Sequence, residues 1–415
     1  MTNLDTRRAA DITPVTTISD TEAQIDMQRM RTYRLGRVRE QLVKNDIAAC
    51  VLFSPLSIRY ATGLRNCALS QTHIVSGYVF IPAQGPVISF DVDAGHRVAE
   101  HLETIDECRP SMPLSYMFAG ARMDEWMRRW AEEMASLVAE HGAGNRRLAI
   151  ERAGTRGPLA FDGLDIEVVD GTDVIEPARN IKGPEEILCM NHAIAVAEAG
   201  MWRMRQALSP GMSEIQLWSL LWQTNIEHGG DWIECRLLSS GDRVNPWLQE
   251  ASGRLIRPGE LVAFDTDMIG PFGYAVDVSR TFLCGPTKPT EKQKELYQRA
   301  YDEVHHNLEL MQPGMSFKEI TEKAFRQPQQ FVANRYPVVA HGIGMCDEWP
   351  SIFYPQDYPT LGYDGVIEAG MTLCVESYVG EAGGTEGVKL EQQILITEDG
   401  YKLLSKFPFE DEFLT

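Results

Sequence analysis

Carboxylates inside apolar, strand-like segments are the feature that most constrains how this chain can fold. Four such segments lie in its C-terminal half, and each carries one or two acids. They are LVAFDTDMI (261–269), YAVDVSRTFL (274–283), MTLCVES (371–377) and GVKLEQQILI (387–396). A buried carboxylate without a partner costs several kcal/mol, so these acids need compensating positive charge. The sequence therefore predicts strands that bring their acids to a common cation.

The spacing of the acids favours a metal site. Asp265 and Asp267 are two residues apart on one predicted strand, so their side chains should share a face of the sheet. A glycine-bearing hairpin loop (268–273) should bring Asp277 on the next strand beside them. Oxygen donors with one imidazole suit a pair of divalent first-row ions. The predicted ligands are Asp265, Asp267, Asp277, His341, Glu376 and Glu391.

The N-terminal half alternates predicted helices and strands, which is typical of an α/β domain. Helices are expected at 21–45 and 122–140, and strands at 47–53, 77–82, 85–91, 148–151 and 164–171. Residues 1–20 are polar and lack periodicity, which predicts a flexible arm. A Gly-Pro junction near 179–186 divides the chain into domains at 21–180 and 181–415.

Two hexapeptides nearly repeat, LSPGMS (208–213) and MQPGMS (311–316). Each lies between predicted helices, which are expected near 184–207, 213–228, 290–311 and 316–325. Pro-Gly ends one helix and Ser caps the next, so local chemistry alone explains the likeness. An internally duplicated domain explains it equally well.

Charge and hydropathy exclude several function classes. With 39 basic against 59 acidic residues the formal net charge is −20, which disfavours a nucleic-acid-coating protein. Apolar runs are too short for a membrane-spanning helix, and the first 20 residues lack the apolar core of a secretory signal, so we expect a cytoplasmic protein. The eight cysteines form no CxxC pair.

The acids also stand in a recognisable order. FDTD (264–267), GYAVDVSRTF (273–282), HGIG (341–344), VE (375–376) and GVKLE (387–391) together resemble the pita-bread metallohydrolases, a family that includes methionine aminopeptidase, aminopeptidase P, prolidase and creatinase. The resemblance implies an α/β (α+β) protein, with a creatinase-like N-terminal domain and a pita-bread catalytic domain. It also implies a homodimer with two divalent ions per subunit, iron first, with Mn, Zn, Co or Ni as alternatives.

Departures from the family pattern concern the substrate side of the site. Peptidases of this family carry a second histidine after HGIG, whereas this chain has Asp347 in the stretch MCDEW (345–349). Another histidine is expected after a Ser-Gly turn, but SGDRVNPWL (240–248) has none, and Trp247 lies near that place. The family's Glu-Pro pair is Glu376-Ser377, and its usual Arg before the last ligand is Lys389. The metal ligands are kept, but the residues that cleave an amide are not.

This pattern resembles the bacterial dimethylsulfoniopropionate lyases of the DddP type. The resemblance implies that Asp347 removes the α-proton of a small zwitterion with a carboxylate at one end and an onium group at the other. Tyr336, Trp247 and Trp349 could hold the onium group through cation–π contacts. Simple packing of these rings, and an Asp347 that caps a loop or pairs with Arg335, are the structural alternatives.

Three other functions remain open from the sequence. The first is a prolidase- or aminopeptidase P-like metallopeptidase that hydrolyses an X-Pro amide with metal-activated water. Creatinase-like C–N hydrolysis is another, although that enzyme lacks the metal ligands found here. A non-catalytic binding module is disfavoured because such domains have shed the ligand acids.

Overall fold

A computed structural model describes residues 22–65, 67–92 and 96–415, so the predicted arm at 1–20 lies outside the described residues. The described chain forms two compact units. The N-terminal unit contains residues 22–179 and 183–185, and the C-terminal unit contains 180–182 and 186–415. None of the helices in the described ranges is long and apolar enough to cross a membrane.

The N-terminal unit is built on a mixed six-stranded sheet in the order β4-β3-β2-β1-β5-β6. The strands are β1 (Ala49–Leu52), β2 (Tyr78–Pro82), β3 (Ile88–Asp91), β4 (Glu107–Pro110), β5 (Arg147–Ile150) and β6 (Glu167–Asp170). The helices are Met27–Lys44, Pro55–Thr62, Ala68–His73, Tyr116–Ala119, Met123–His141, Arg156–Leu159 and Thr172–Arg179. Five of these six strands and the two long helices, Met27–Lys44 and Met123–His141, were predicted from the sequence, but β4 and the five shorter helices were not.

The helix Met123–His141 shows why this unit folds. Its buried residues Met127, Trp130, Met134 and Leu137 recur every three or four positions, so they form one apolar face. Trp130 is fully buried and meets Phe161 edge to face at 5.4 Å between ring centroids.

The C-terminal unit contains three antiparallel sheets, in the orders β11-β10-β7, β12-β9-β8 and β14-β13-β15-β16-β17. The strands are β7 (Trp232–Ile233), β8 (Leu238–Ser240), β9 (Leu261–Phe264), β10 (Met268–Ile269), β11 (Ala275–Val276), β12 (Arg280–Leu283), β13 (Val338–Ile343), β14 (Asp347–Phe353), β15 (Thr372–Gly380), β16 (Gly387–Thr397) and β17 (Gly400–Leu403). The helices that complete the chain are Pro184–Ala207, Glu214–Glu227, Glu291–Glu309, Phe317–Lys323, Gln329–Val332, Tyr358–Leu361 and Asp411–Leu414.

The two PGMS segments have matching surroundings. Ser213 and Ser316 each form a capping box with the third residue of the following helix. Each also forms an antiparallel bridge with a distant loop, Ser213 with Leu255 and Ser316 with Val366. Helix capping does not require these long-range bridges, so their recurrence favours an internal duplication.

Two predicted strands are interrupted at the acids. β9 ends at Phe264, and β11 ends at Val276, so Asp265, Asp267 and Asp277 lie in strand breaks. The prediction that Asp265 and Asp267 share a face of one strand is therefore wrong. Asp267 adopts the left-handed region at φ 37°, which breaks the two-residue alternation of side chains. The predicted hairpin is present, because β10 and β11 pair antiparallel.

Candidate metal centre

Strand pairing places the two glutamates and the histidine together. Glu376 on β15 lies directly opposite Glu391 on β16. His341 on β13 lies opposite Cys374 on β15, two residues before Glu376 and therefore on the same face. All four side chains are buried. The sheet thus holds these side chains in fixed positions that are largely shielded from solvent.

Thr266 positions the aspartates in the strand breaks. Its hydroxyl donates to the carbonyl of Val276 at 2.9 Å and accepts from the amide of Val278 at 2.9 Å. One side chain therefore joins the break after β9 to the break after β11. Asp265 and Asp267 flank Thr266, and Asp277 lies between the two residues that it holds, so the three acids are brought to one place.

The ligand atoms form two overlapping groups. Asp277, His341, Cys374 and Glu391 offer atoms that all lie within 4.8 Å of one another, and so do Asp265, Glu376 and Glu391. Glu391 belongs to both groups, as expected of a carboxylate that bridges two ions. Asp267 belongs to neither group, although the nearby charges of Asp265 and Glu391 affect its ionisation.

Unused acceptors fit a bound cation. Among the carboxylates of this cluster, four buried oxygens accept no hydrogen bond from the described residues, namely Asp267 Oδ2, Asp277 Oδ1, Glu376 Oε1 and Glu391 Oε1. Buried acceptors are seldom left in this state. When its five carboxylates are all ionised, the cluster and the ammonium of Lys389 together carry four net negative charges, which two divalent ions would neutralise. Donor type, burial and charge therefore suit a divalent metal centre.

The orientation of His341 is fixed by a neighbouring carbonyl. Nδ1 lies 2.9 Å from the oxygen of Gly342, which can only accept, so Nδ1 carries the proton. Nε2 is then the free nitrogen, and it lies 3.0 Å from Glu376 Oε1 and 3.5 Å from Asp277 Oδ2. This is the arrangement of a metal-ligating histidine whose other nitrogen is held by a hydrogen bond.

Ionisation in the cluster reflects burial and crowding of charge. Burial, with the charge of Asp265, raises the pKa values of Asp267 and Asp277 well above the ordinary range. Burial and the charges of Asp265 and Glu376 raise the pKa of Glu391 to about 7. Burial also opposes ionisation of Asp265, but Lys389 holds its pKa below the ordinary value. A cation among these groups would relieve the repulsion.

Lys389 is a fully buried cation inside the cluster. Its Nζ lies 2.6 Å from Glu376 Oε2, 3.1 Å from Asp265 Oδ2 and 3.3 Å from Glu391 Oε2. The ring of Tyr336 covers it, with the centroid 4.4 Å from Nζ. Tyr336, a predicted substrate-binding residue, is thus in direct contact with the ammonium group of Lys389.

Asp347, the predicted base, lies at the rim of the cluster. Its side chain is 68% exposed, and Oδ1 lies 3.8 Å from His341 Nδ1. Desolvation by the surrounding protein and the charge of Glu376 raise the pKa of Asp347, against the opposing effect of His341. The alternative that Asp347 pairs with Arg335 is wrong, because Arg335 donates to both carboxylate oxygens of Asp357.

The predicted aromatic residues divide into two settings. Trp247 stacks on Tyr378 at 5.8 Å and shares an apolar cluster with it, against which Tyr336 packs. Tyr378 lies opposite Lys389 across β15 and β16, so this cluster adjoins the acids. Trp349 instead packs against Phe317, with 5.3 Å between centroids, in the main hydrophobic core of the unit.

Sequence reasoning assigned no role to Lys389, Cys374 or Thr266. The signal for the first two was present, because each lies two residues before a predicted glutamate ligand and strand side chains alternate. Lys389 was recognised only as a departure from the family's arginine. Thr266 gave no such signal, because its role depends on two strand breaks.

The chain matches two family descriptions, which agree with this site. Residues 188–398 match metallopeptidase family M24, and residues 34–181 match the creatinase/prolidase N-terminal domain. The chain belongs to metallopeptidase family M24. The resemblance seen in the motifs is thereby confirmed, and so is the fold class of a creatinase-like domain followed by a pita-bread domain.

The chain is also similar to individual proteins and solved structures. The chain is 38% identical over 390 residues to the dimethylsulfoniopropionate lyase DddP of Roseovarius nubinhibens, which covers 93% of this chain and 87% of that protein. The DddP of Roseobacter denitrificans is 35% identical over the same shares. Among solved structures, an Xaa-Pro dipeptidase from Bacillus anthracis has a TM-score of 0.72 at 22% identity and covers 92% of this chain and 99% of its own. The Pyrococcus horikoshii prolidase has a TM-score of 0.70 at 23% identity, with 91% and 99% covered. Both likenesses show the fold.

Proposed function

We propose that the chain is a metal-dependent carbon–sulfur lyase that cleaves dimethylsulfoniopropionate to acrylate and dimethyl sulfide. The observation that carries this proposal is the position of Asp347. Its carboxylate lies at the rim of the cluster of candidate metal ligands, with Oδ1 3.8 Å from His341 Nδ1. The named activity of relatives that align over most of the chain supports the same reaction. The structural likeness to prolidases lies below 25% identity and adds no support for X-Pro hydrolysis.

Asp347 is the base of a β-elimination. Its carboxylate takes the α-proton, and the electron pair of that C–H bond forms the double bond between the α- and β-carbons. The bond between the β-carbon and sulfur breaks, and its electrons stay on sulfur, so dimethyl sulfide leaves as a neutral molecule. Asp347 then returns the proton to water, to which its side chain is open. No attacking water is needed, which agrees with the missing histidines.

Asp265, Asp267, Asp277, His341, Glu376 and Glu391 would hold two divalent ions, with iron first and Mn, Zn, Co or Ni as alternatives. Bound ions supply Lewis-acid stabilisation of the negative charge that develops on the substrate carboxylate. Of the two acids whose roles the sequence left unresolved, Asp265 already has Oδ1 engaged by the amide of Thr266, whereas Asp267 Oδ2 is an unused acceptor in the described structure.

The substrate is a small zwitterion. Tyr336 and Trp247 belong to the apolar cluster beside the acids, and their rings suit the sulfonium end of the substrate. Trp349, which packs against Phe317, is the third aromatic residue proposed to bind the substrate. We further propose a homodimer, which the family resemblance implies, and a cytoplasmic location, which the sequence predicts. The domains are proposed at 21–180 and 181–415, on either side of the Gly-Pro junction. No nucleic-acid or membrane partner is proposed.

Headspace gas chromatography after addition of dimethylsulfoniopropionate to the metal-loaded protein tests the reaction. A proline dipeptide digest runs in parallel with the same preparation. We expect dimethyl sulfide and acrylate in equal amounts without dipeptide cleavage. Dipeptide cleavage without sulfide would overturn the proposal in favour of the peptidase.

A further inference from the structure

The two glutamates at the heart of the cluster use their oxygens unequally. In both Glu376 and Glu391, Oε2 faces Lys389, at 2.6 Å and 3.3 Å. In both, Oε1 faces His341 Nε2, at 3.0 Å and 3.8 Å, and accepts no hydrogen bond from the residues described. One oxygen of each carboxylate is therefore held, and the other is free for an ion.

Ser279 reinforces this division. Lys389 Nζ donates to Ser279 Oγ at 2.8 Å, and Ser279 Oγ donates in turn to Glu391 Oε2 at 2.8 Å. The ammonium has three protons, and Glu376, Ser279 and Asp265 are the three acceptors nearest to it. All these side chains are buried, so water cannot easily take the place of Lys389.

A carboxylate can bind a metal through one oxygen or through both. If Glu376 bound an ion through both oxygens, it would take one more coordination position, and fewer positions would remain for a substrate. A charged hydrogen bond to one oxygen opposes chelation because it must be lost or weakened when that oxygen turns to the metal. Outer partners of ligating carboxylates commonly tune metal sites in this way.

We propose that Lys389 is a positioning residue that holds Oε2 of Glu376 away from a bound ion, and so reserves a coordination position for the carboxylate of the substrate. The inference rests on the proposed function only in that the substrate has a carboxylate. It assigns Lys389 to selection of the ligand's anionic end, whereas Asp347 and the aromatic cluster act on the other end.

The sign of the effect on metal binding separates this role from a merely structural one. Removing a buried cation makes the cluster more negative and releases Oε2 of Glu376, whereas Ser279 still donates to Oε2 of Glu391. Metal ions should therefore stay bound or bind more tightly. Carboxylate ligands should bind more weakly, because their positions are filled and an attracting charge is gone. A residue that only supports the fold would instead lose metal and ligand together.

The test compares Lys389→Met, which removes the charge at similar side-chain length, with Lys389→Arg, which retains it. Lys182→Met is the matched control, because Lys182 is also a buried cation in this unit but pairs with Glu348 at 2.8 Å. Each protein is loaded with Co²⁺, its ions are counted by mass spectrometry, and its visible spectrum is titrated with propionate. Propionate has the carboxylate but no onium group, so it cannot undergo elimination.

We expect wild type, Lys389→Arg and Lys182→Met to bind two ions and to change spectrum with propionate. Lys389→Met should keep two ions, while its propionate dissociation constant rises on the order of 10- to 100-fold. Its KM for dimethylsulfoniopropionate should rise in parallel, with kcat changed by less than about threefold. Loss of an ion in Lys389→Met, an unchanged propionate affinity, or equal loss in Lys389→Arg would overturn the inference.

The two proposals can fail separately. If wild type releases no dimethyl sulfide but its propionate response depends on Lys389, the lyase assignment fails and the role of Lys389 stands. If wild type releases dimethyl sulfide but its cobalt spectrum ignores propionate, the role of Lys389 fails and the lyase assignment stands.

Discussion

Replacing Asp347 with asparagine removes the proposed base while keeping the size of the side chain. A positioned general base contributes about 10²- to 10⁴-fold to a rate, which corresponds to roughly 3–5 kcal/mol of transition-state free energy. Asp347 is 68% exposed and contacts the ligand set only at 3.8 Å from His341 Nδ1. A substitution at such a position should change the free energy of unfolding by no more than about 0.5 kcal/mol. We therefore expect Asp347→Asn to lose activity with nearly unchanged stability.

The assay is the initial rate of dimethyl sulfide release, measured by headspace gas chromatography at saturating substrate. Metal content and thermal midpoint are measured on the same samples. Asp357→Asn is the matched control, since Asp357 is a partly exposed acid of the same unit that pairs with Arg335. If Asp347→Asn loses metal together with activity, the residue is a ligand or a structural acid. If it retains more than about a tenth of the wild-type rate, base catalysis by Asp347 is refuted.

Three further predictions follow from single side chains. His341→Ala should lower the number of bound ions by mass spectrometry and abolish lyase activity with it, because Nε2 faces two acids of the cluster. Thr266→Val removes both bonds that join the strand breaks, so chemical denaturation should show a loss of about 1–3 kcal/mol and ion counting a lower occupancy. Burial raises the pKa of Glu303 from 4.5 to about 7, so the folded chain holds a proton there that the unfolded chain releases, and stability should fall by about 3 kcal/mol as pH rises across that range. Glu303→Gln should remove this part of the pH dependence in urea denaturation curves, and an unchanged slope would contradict it.

The acids and their order could be predicted from the sequence, but not the backbone that carries them. Glu376, Glu391 and His341 lie on regular strands, so alternation and register place them correctly. Asp265, Asp267 and Asp277 lie in breaks that no local pattern announces, because LVAFDTDMI reads as one continuous strand. The breaks are stabilised by Thr266 across ten or more residues of sequence, and such tertiary hydrogen bonds override local strand propensity.

The sequence also pointed to the proposed base, Asp347, but it could not predict the surroundings of that residue. Asp347 was found because it stands where the family's peptidases have a histidine. Its proximity to His341 depends on the pairing of β13 with β14, which contains a register shift after His341. The setting of Trp349 likewise depends on Phe317, which is more than 30 residues away in the sequence. Aromatic residues give the same local sequence pattern whether they pack in a hydrophobic core or line a binding site.

If Asp347 is the base proposed above, its negative charge would favour elimination over amide hydrolysis at this site. Hydrolysis builds negative charge on the scissile carbonyl oxygen, and a further anion at the rim would raise the energy of that intermediate. The proposed substrate instead brings a positive sulfonium near the same carboxylate. Opposite unit charges about 4 Å apart attract by roughly 4 kcal/mol at the effective dielectric of a protein surface. This attraction would vanish when sulfur leaves as neutral dimethyl sulfide, so the proposed base would bind the cationic end, remove the proton and then favour release of the product.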